Sequence, residues 1–203
     1  STGATLAGRL SEDADTDVLV LEAGTEWRVH DAPPEIESPN FQHVLDTLDQ
    51  EYLWPELTAK RTAVQDQERY YVGRGLGGGS TVNAIMFSRP PLEDFDRWET
   101  LGADGWAGED VLPYFTRLER DEEFAERSYH GDSGPVPVSR RHRYDWGAVD
   151  NAFFEAASAL GHDNTSALDR NNPDPEGLSR SPFNAAGGTR VTTNEAYLEP
   201  ARE

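Results

Sequence analysis

The first pattern along the chain is an apolar set at helical spacing followed by a short apolar run. Ala4 to Leu10 has that spacing, Ser11 to Asp17 is a polar, acidic connection, and Val18-Leu19-Val20-Leu21 contains no polar residue. Such a run, bounded by turn residues, predicts a buried parallel strand, ended by Glu22 and then Ala23-Gly24. Trp27 to Gln50 is rich in proline and acid without steady periodicity, which predicts loop with a short helix near Phe41 to Leu48. Tyr52 to Val72 alternates around a polar centre at Lys60 to Gln67, the pattern of two extended segments joined by an excursion. Gly73 to Ser80 is dense in glycine, and Thr81 to Phe87 is apolar enough to be buried, with Asn83 as its embedded polar residue.

Helical patterns then recur. Gly108 to Asp110 leads into a helix over Val111 to Leu118, which puts Pro113 in the first turn, where proline is tolerated. Asp145 to Leu160 sets Val149, Phe153, Ala156, Ala157 and Leu160 on one face and stops at Gly161, a C-cap residue. His130 to Ser139 predicts a turn entering an edge strand, given its two prolines, and Asn164 to Gly177 predicts a polar loop. No internal repeat or low-complexity linker forces a clean domain cut.

Composition narrows the class. Hydrophobic residues at 36% and aromatics at 10% supply a packed core and argue against wholesale disorder. No apolar run approaches the ~20 residues of a membrane helix, and no basic-then-apolar leader is present. The expectation is a cytoplasmic protein with no membrane segment, with export left open because the chain begins at Ser1. The absence of cysteine excludes disulfides, thiolate metal sites and a cysteine nucleophile.

The 38 acidic residues against 18 basic ones give a formal net charge of -20, and Lys60 is the sole lysine. This balance fits adaptation to high salt, where screening shortens to a few ångströms and carboxylates keep the surface hydrated. An ordinary acidic soluble protein kept apart by self-repulsion is the other reading. Either way nucleic acid and anionic membranes are disfavoured as partners, since phosphate binding needs positive surface.

Two places carry chemistry. A dinucleotide fold runs from a strand through Gly-x-Gly-x-x-Gly into a helix, then to a second strand ending in an acid roughly 20 residues on. Gly3 opens a helix here and Glu22 ends the next apolar run, so only the last third of that fingerprint is present. A carboxylate at Glu22 would accept both ribose hydroxyls and repel a 2′-phosphate, which suits FAD or NAD over NADP. Taken alone, these residues fit an ordinary helix–strand pair of an α/β protein better. The second place is Gly73-Arg74-Gly75-Leu76-Gly77-Gly78-Gly79-Ser80 ahead of Val82-Asn83-Ala84-Ile85. Consecutive glycines let backbone lie against a flat ring or a diphosphate, and successive amides can point at anionic oxygens. A buried asparagine requires partners, and a flavin edge would supply them. Asp121-Glu122-Glu123 lacks an ordered ligand set and predicts no metal site. Ser80 and Ser179-Arg180-Ser181 have no local base, so hydrolase chemistry has no support.

The second place also resembles the first signature of the glucose-methanol-choline (GMC) oxidoreductases. Gly73, Arg74, Leu76, Gly77, Gly78, Gly79, Ser80, Val82, Asn83, Phe87, Pro90 and Asp96 fit its positions in order. Leu19 to Gly24, Asp94 to Trp98, Gly105-Trp106, Asp110 to Phe115, Tyr129-His130-Gly131 and Glu195 to Pro200 follow in the family's order. The resemblance implies an α/β, Rossmann-like FAD-binding domain, incomplete because its first strand and C-terminal part are absent, with part of an α+β substrate domain. We expect the flavin portion over residues 1–140 and the start of the substrate region over 141–203.

By the same likeness Gly3 and Glu22 belong to the nucleotide site, Gly73 and Arg74 through Ser80 contact the diphosphate, and Asn83 with Ala84 faces the isoalloxazine ring. Some members carry, at the position of Val82, a histidine bonded to flavin; valine implies non-covalent FAD. The implied reaction is oxidation of a small-molecule alcohol by hydride transfer to flavin N5. The family's catalytic histidine lies in a C-terminal segment beyond Glu203. None of His30, His43, His130, His142 and His162 has a matching context, and His130 is expected to shape its loop. We therefore expect no catalytic residue in this chain and no turnover by it alone. The alternative is a non-catalytic remnant, or one half of a split flavoprotein that needs a partner chain carrying the C-terminal part. An NAD-dependent dehydrogenase fits Glu22 but leaves Gly73 to Asp96 unexplained.

Overall fold

The computed structural model describes residues 1–26, 31–40, 42–43, 51–162, 169–173 and 177–202. They are α/β, with short strands, in two compact units: Ser1–Ile85 with Gly187–Glu203, and Met86–Ala186. Residue 140 ends a strand that the second unit's own residues pair on both flanks.

In the first unit, α1 (Thr2–Leu10) forms over the predicted stretch and buries Ala4 and Ala7 against Leu76 and Leu198. The closing segment Asn194–Leu198, one π-helical turn, lies along α1, with Arg9 over the Tyr197 ring at 5.5 Å. A second apolar cluster joins Ile36, from the one-turn helix α2 (Pro34–Glu37), to Tyr52 and Leu53, with Ala32 and Val82 packed against it. The two extended segments are present: β1 (Thr58–Ala59) pairs antiparallel with β2 (Glu68–Arg69), Thr58 opposite Arg69. The ribbon continues through Trp54 N–H to the Val72 carbonyl and a bridge between Leu53 and Gly73.

Two expectations fail in this unit. Val18–Leu21 is no strand, and Leu19 and Leu21 are 84% and 85% exposed. No partner ladder lies beside this run among the described residues, and unpaired backbone must stay hydrated. Asn83 is exposed rather than embedded, although Thr81 and Ile85 on either side are buried. The helix expected near Phe41 to Leu48 lies outside the described residues, apart from helical Gln42 and His43.

In the second unit, α4 (Leu92–Thr100) packs on α5 (Gly108–Leu118), following the single turn α3 (Gly79–Val82) of the first unit in chain order. Asp96 accepts the Gly108 amide at 2.8 Å, and Phe95 meets Phe115 and Trp98 edge-on. Because α5 begins at Gly108, Pro113 sits inside it and not in its first turn. One backbone bond is lost there.

The sheet has the order β3 (Glu119–Asp121), β4 (Val136–Arg140), β5 (Pro182–Phe183). The predicted edge strand β4 is therefore central. Its partners take different halves, residues 136–138 parallel to β3 and residues 139–140 antiparallel to β5, so Pro137 is flanked on one side only. Helix α6 (Ala148–Ala159) ends before Gly161, whose φ is +88°, as expected. Of its predicted face Ala157 is buried, whereas Val149, Phe153 and Leu160 are exposed, because no described residue covers them. The polar loop from Asn164 to Gly177 lies largely outside the described residues. No described helix is long and apolar enough to cross a membrane.

Candidate functional site

The glycine run is the meeting point of the first unit. Gly73 bridges Leu53 on one side, and Gly75 bridges Thr25 on the other. Backbones approach so closely here that side chains are excluded. A Cβ on Gly24 would stand 2.5 Å from the Arg74 carbonyl carbon and the Gly75 nitrogen, and one on Gly73 would stand 2.4 Å from the Gly78 oxygen. These clashes are with backbone, so no rotamer change relieves them.

Glu22 is held against this run. Its Oε1 accepts the Gly24 amide at 2.8 Å and the Gly75 amide at 3.1 Å. Oε2 has no partner among the described residues and stands at an exposed position. Beside it lies a cleft of about 420 Å³ whose lining includes Ala7, Val18, Val20, Glu22, Gly24 and Leu76. The alternation of the Val18–Leu21 run thus has a use: the even residues line the cleft while Leu19 and Leu21 face water.

The start of α1 is tied to the glycine run. Ser1 Oγ donates to the Gly77 carbonyl at 3.2 Å and accepts the Ser80 amide at 3.1 Å. Ser80 Oγ, itself buried, donates to Gly77 O at 2.7 Å and accepts the Thr193 amide at 3.0 Å. Gly79 is exposed; a Cβ there would meet nothing within 4 Å, and its amide has no partner among the described residues. Gly77 and Gly78 both have positive φ, which sets the loop's direction into α3.

The structure therefore brings Glu22, Gly73, Leu76, Gly77, Gly78, Gly79 and Ser80 together. Gly3 is on the exposed side of α1, with open space around it. The Arg74 side chain is engaged within the protein. Its Nε and Nη2 donate to the Ala23 carbonyl, and its guanidinium lies over the Trp54 ring at 5.4 Å. Leu76 is buried in the α1 cluster, Val82 packs toward Ile36 and Tyr52, and Ala84 is half-buried.

Asn83 finds its partners within the protein. Its Oδ1 accepts the Ile85 amide at 3.0 Å and Arg190 Nη1 at 2.9 Å. Arg190 was not among the residues expected at the site. The available signal was weak: an arginine following Gly187-Gly188 with no acid within four residues, in a chain dominated by acids.

A second cluster occupies the other unit. His130 Nδ1 lies 2.5 Å from Glu119 Oε1, and Nε2 lies 2.7 Å from Asp169 Oδ2. Carboxylates only accept, so both ring nitrogens carry protons. Burial would lower the pKa of His130, but the bonds to Asp169 and Glu119 outweigh it and raise it to about 8. Arg140 grips Asp121 through two bonds, at 2.8 and 2.9 Å, and reaches Asp169 at 2.9 Å; Arg89 pairs with Glu119 at 2.5 Å. Three carboxylates thus face three cations. Glu119, Asp121 and His130 have the spacing of a metal site, but their charge is already matched by Arg89, Arg140 and the imidazolium. With both nitrogens engaged His130 has no lone pair for a substrate, and it ties residues 119, 130 and 169 together.

The family model described as GMC oxidoreductase matches residues 16–203. The 5-(hydroxymethyl)furfural oxidase of Methylovorus sp. is 34% identical, covering 98% of this chain and 38% of its own length. The oxygen-dependent choline dehydrogenase of Rhizobium etli is 36% identical, covering 99% and 35%. Among solved structures, pyridoxine 4-oxidase from Mesorbium loti superposes with a TM-score of 0.84 at 29% identity, over all of this chain and 38% of that one. The chain thus spans little more than a third of these relatives. With the family model covering all but the first helix and the connection after it, the chain belongs to the GMC oxidoreductase family.

Proposed function

We propose that the chain is the FAD-binding portion of a flavoprotein that oxidises the CH–OH group of a small alcohol. The observation that carries this is Glu22, which lines the cleft together with Gly24 and Leu76 and accepts the Gly75 amide of the glycine run. Fit is testable on the residues themselves. Glu22 keeps one carboxylate oxygen for a ribose diol, the Gly79 amide has no partner among the described residues, and the Gly24 and Gly73 contacts leave no room for a Cβ. Val82 has no nucleophilic atom, so the cofactor is held without a covalent bond at that position. When bound, FAD supplies the acceptor for a hydride from the substrate carbon. The chain's part is to bind that cofactor and fix its orientation.

The relatives' names support a small hydroxyl-bearing substrate, since hydroxymethylfurfural, choline and pyridoxine all carry an alcohol. The proton of that hydroxyl needs a base. In the first unit the described histidine is His43, and its Nδ1 is 2.9 Å from Ser38 Oγ. We assign the base to polypeptide outside these residues, in the same chain or in a partner.

The test is to purify the chain, titrate it with FAD, then add choline or an aromatic primary alcohol without oxygen. The expected result is one FAD bound, seen as fluorescence quenching, with no bleaching of the flavin. Failure to bind FAD would overturn the cofactor assignment, and rapid bleaching would overturn the external base.

A further inference from the structure

Arg190 is 1% exposed and heads the fully buried side chains by volume among the described residues. Its guanidinium is held by carbonyl oxygens and an amide. Nε donates to Ile36 O at 2.9 Å, Nη2 to Ser38 O at 3.4 Å, and Nη1 to Ser80 O, Asn83 O and Asn83 Oδ1 at 3.2, 2.7 and 2.9 Å. Burial pulls its pKa down to about 10, against the pull of Glu195, so it stays protonated at neutral pH. One side chain therefore joins α2 to the turn that follows the glycine run.

The chemistry of these donors decides which way the Asn83 amide points. Arginine has no acceptor, and neither has the Ile85 N–H. Both reach the same Asn83 atom, which must be the oxygen. The amide nitrogen is then turned away from Arg190, at an exposed residue, with no partner among the described residues. Ile85 shows that this turn is enforced. It is buried and β-branched, yet its φ is +51°, a conformation that persists only where the surroundings over-determine it.

We propose that Arg190 is a positioning residue for the flavin: it fixes Asn83 with its Nδ2 outward, as a hydrogen-bond donor to an acceptor on the isoalloxazine ring. This rests on the assignment of the Asn83 stretch to the flavin. A donor there strengthens as the ring gains electron density, so it favours the reduced cofactor.

The test compares Arg190→Met, Arg190→Lys and Asn83→Asp in the protein loaded with FAD, reading FAD affinity and midpoint potential, with Ile85 amide exchange read in the apoprotein. Arg190→Met should lower the preference for reduced over oxidised flavin about tenfold, or about 30 mV for a two-electron couple, and speed Ile85 exchange. Arg190→Lys should restore part of both. Asn83→Asp keeps an acceptor for Arg190 but loses the donor, so the potential should fall while Ile85 stays protected. If Arg190→Met does not fold, the other two variants still read the potential. Unchanged potentials in variants that bind FAD would refute the role of Arg190 alone. No FAD binding by the unaltered protein would refute the flavin assignment, and this proposal with it.

Discussion

Glu22 and Gly75 stand 53 positions apart in sequence and meet at 3.1 Å, the glycine amide donating to the carboxylate. With the Gly24 amide on the same oxygen, one side chain joins the end of the apolar run to the glycine run and still has an oxygen to offer. We predict that Glu22→Ala weakens FAD binding by about 10- to 100-fold, the loss of hydrogen bonds to a charged group worth about 1.5–3 kcal/mol. Glu22→Gln keeps an acceptor at Oε1 and should lose less. Fluorescence titration of FAD measures both, and an unchanged Kd for the alanine variant would remove Glu22 from the cofactor site.

Two glycines near that contact should respond in opposite ways. A methyl at Gly24 runs into the backbone of Arg74 and Gly75 at 2.5 Å. Gly24→Ala should therefore cost about 3 kcal/mol of stability. A methyl at Gly79 meets nothing, and alanine is the better helix former there by up to about 1 kcal/mol. Gly79→Ala should hold or raise the denaturation midpoint while weakening FAD binding, because the methyl occupies the space left for the diphosphate. Denaturant unfolding beside FAD titration separates the two, and full affinity in Gly79→Ala would place the diphosphate elsewhere.

His130 sets a pH dependence. Its folded pKa of about 8 lies above the ordinary 6.5, so its contribution is fully present below pH 6.5 and is lost as the pH rises through about 8. The rise corresponds to about 2 kcal/mol. Urea unfolding at pH 6 and pH 9 should show that loss in the unaltered protein. In His130→Gln the slope over this window should flatten, on a stability lowered throughout by under-compensated carboxylates. Parallel pH profiles for the two proteins would show that the imidazolium is not what the cluster stabilises.

What the sequence revealed follows from the range of the forces involved. Helix α1, the ribbon around β1 and β2, and the stop of α6 at Gly161 are set by local spacing and turn chemistry, so they could be read directly. Val18–Leu21 could not, because a parallel strand depends on partners that local pattern does not contain. The glycine run and Glu22 were visible as residue types, while their contact across 53 positions was not. Asn83 was expected to be buried and to need partners; it is exposed, and within the protein its Oδ1 pairs with Arg190 and Ile85. His130 was recognisable as a loop residue; the match of Glu119, Asp121 and Asp169 to Arg89, Arg140 and the ring depends on pairing across β3, β4 and a distant turn. Charge pairs of that kind leave no period in a sequence.

The last prediction concerns the surface. A net charge of -20 on 203 residues repels itself, and most of its acids, such as Glu93, Glu99, Glu109 and Asp110, stand exposed. The Debye length falls from about 10 Å at 0.1 M salt to about 3 Å at 1 M, so repulsion between neighbouring carboxylates is largely removed over that range. The buried pairs around His130 are screened far less and should persist. We therefore predict that the unfolding midpoint in urea rises steadily with potassium chloride from 0.1 to 2 M. Replacing four exposed acids on α4 and α5 with glutamine should flatten that rise while stabilising the protein at low salt. Stability independent of salt, or falling with it, would reject adaptation to high salt and leave the acidity as a matter of solubility alone.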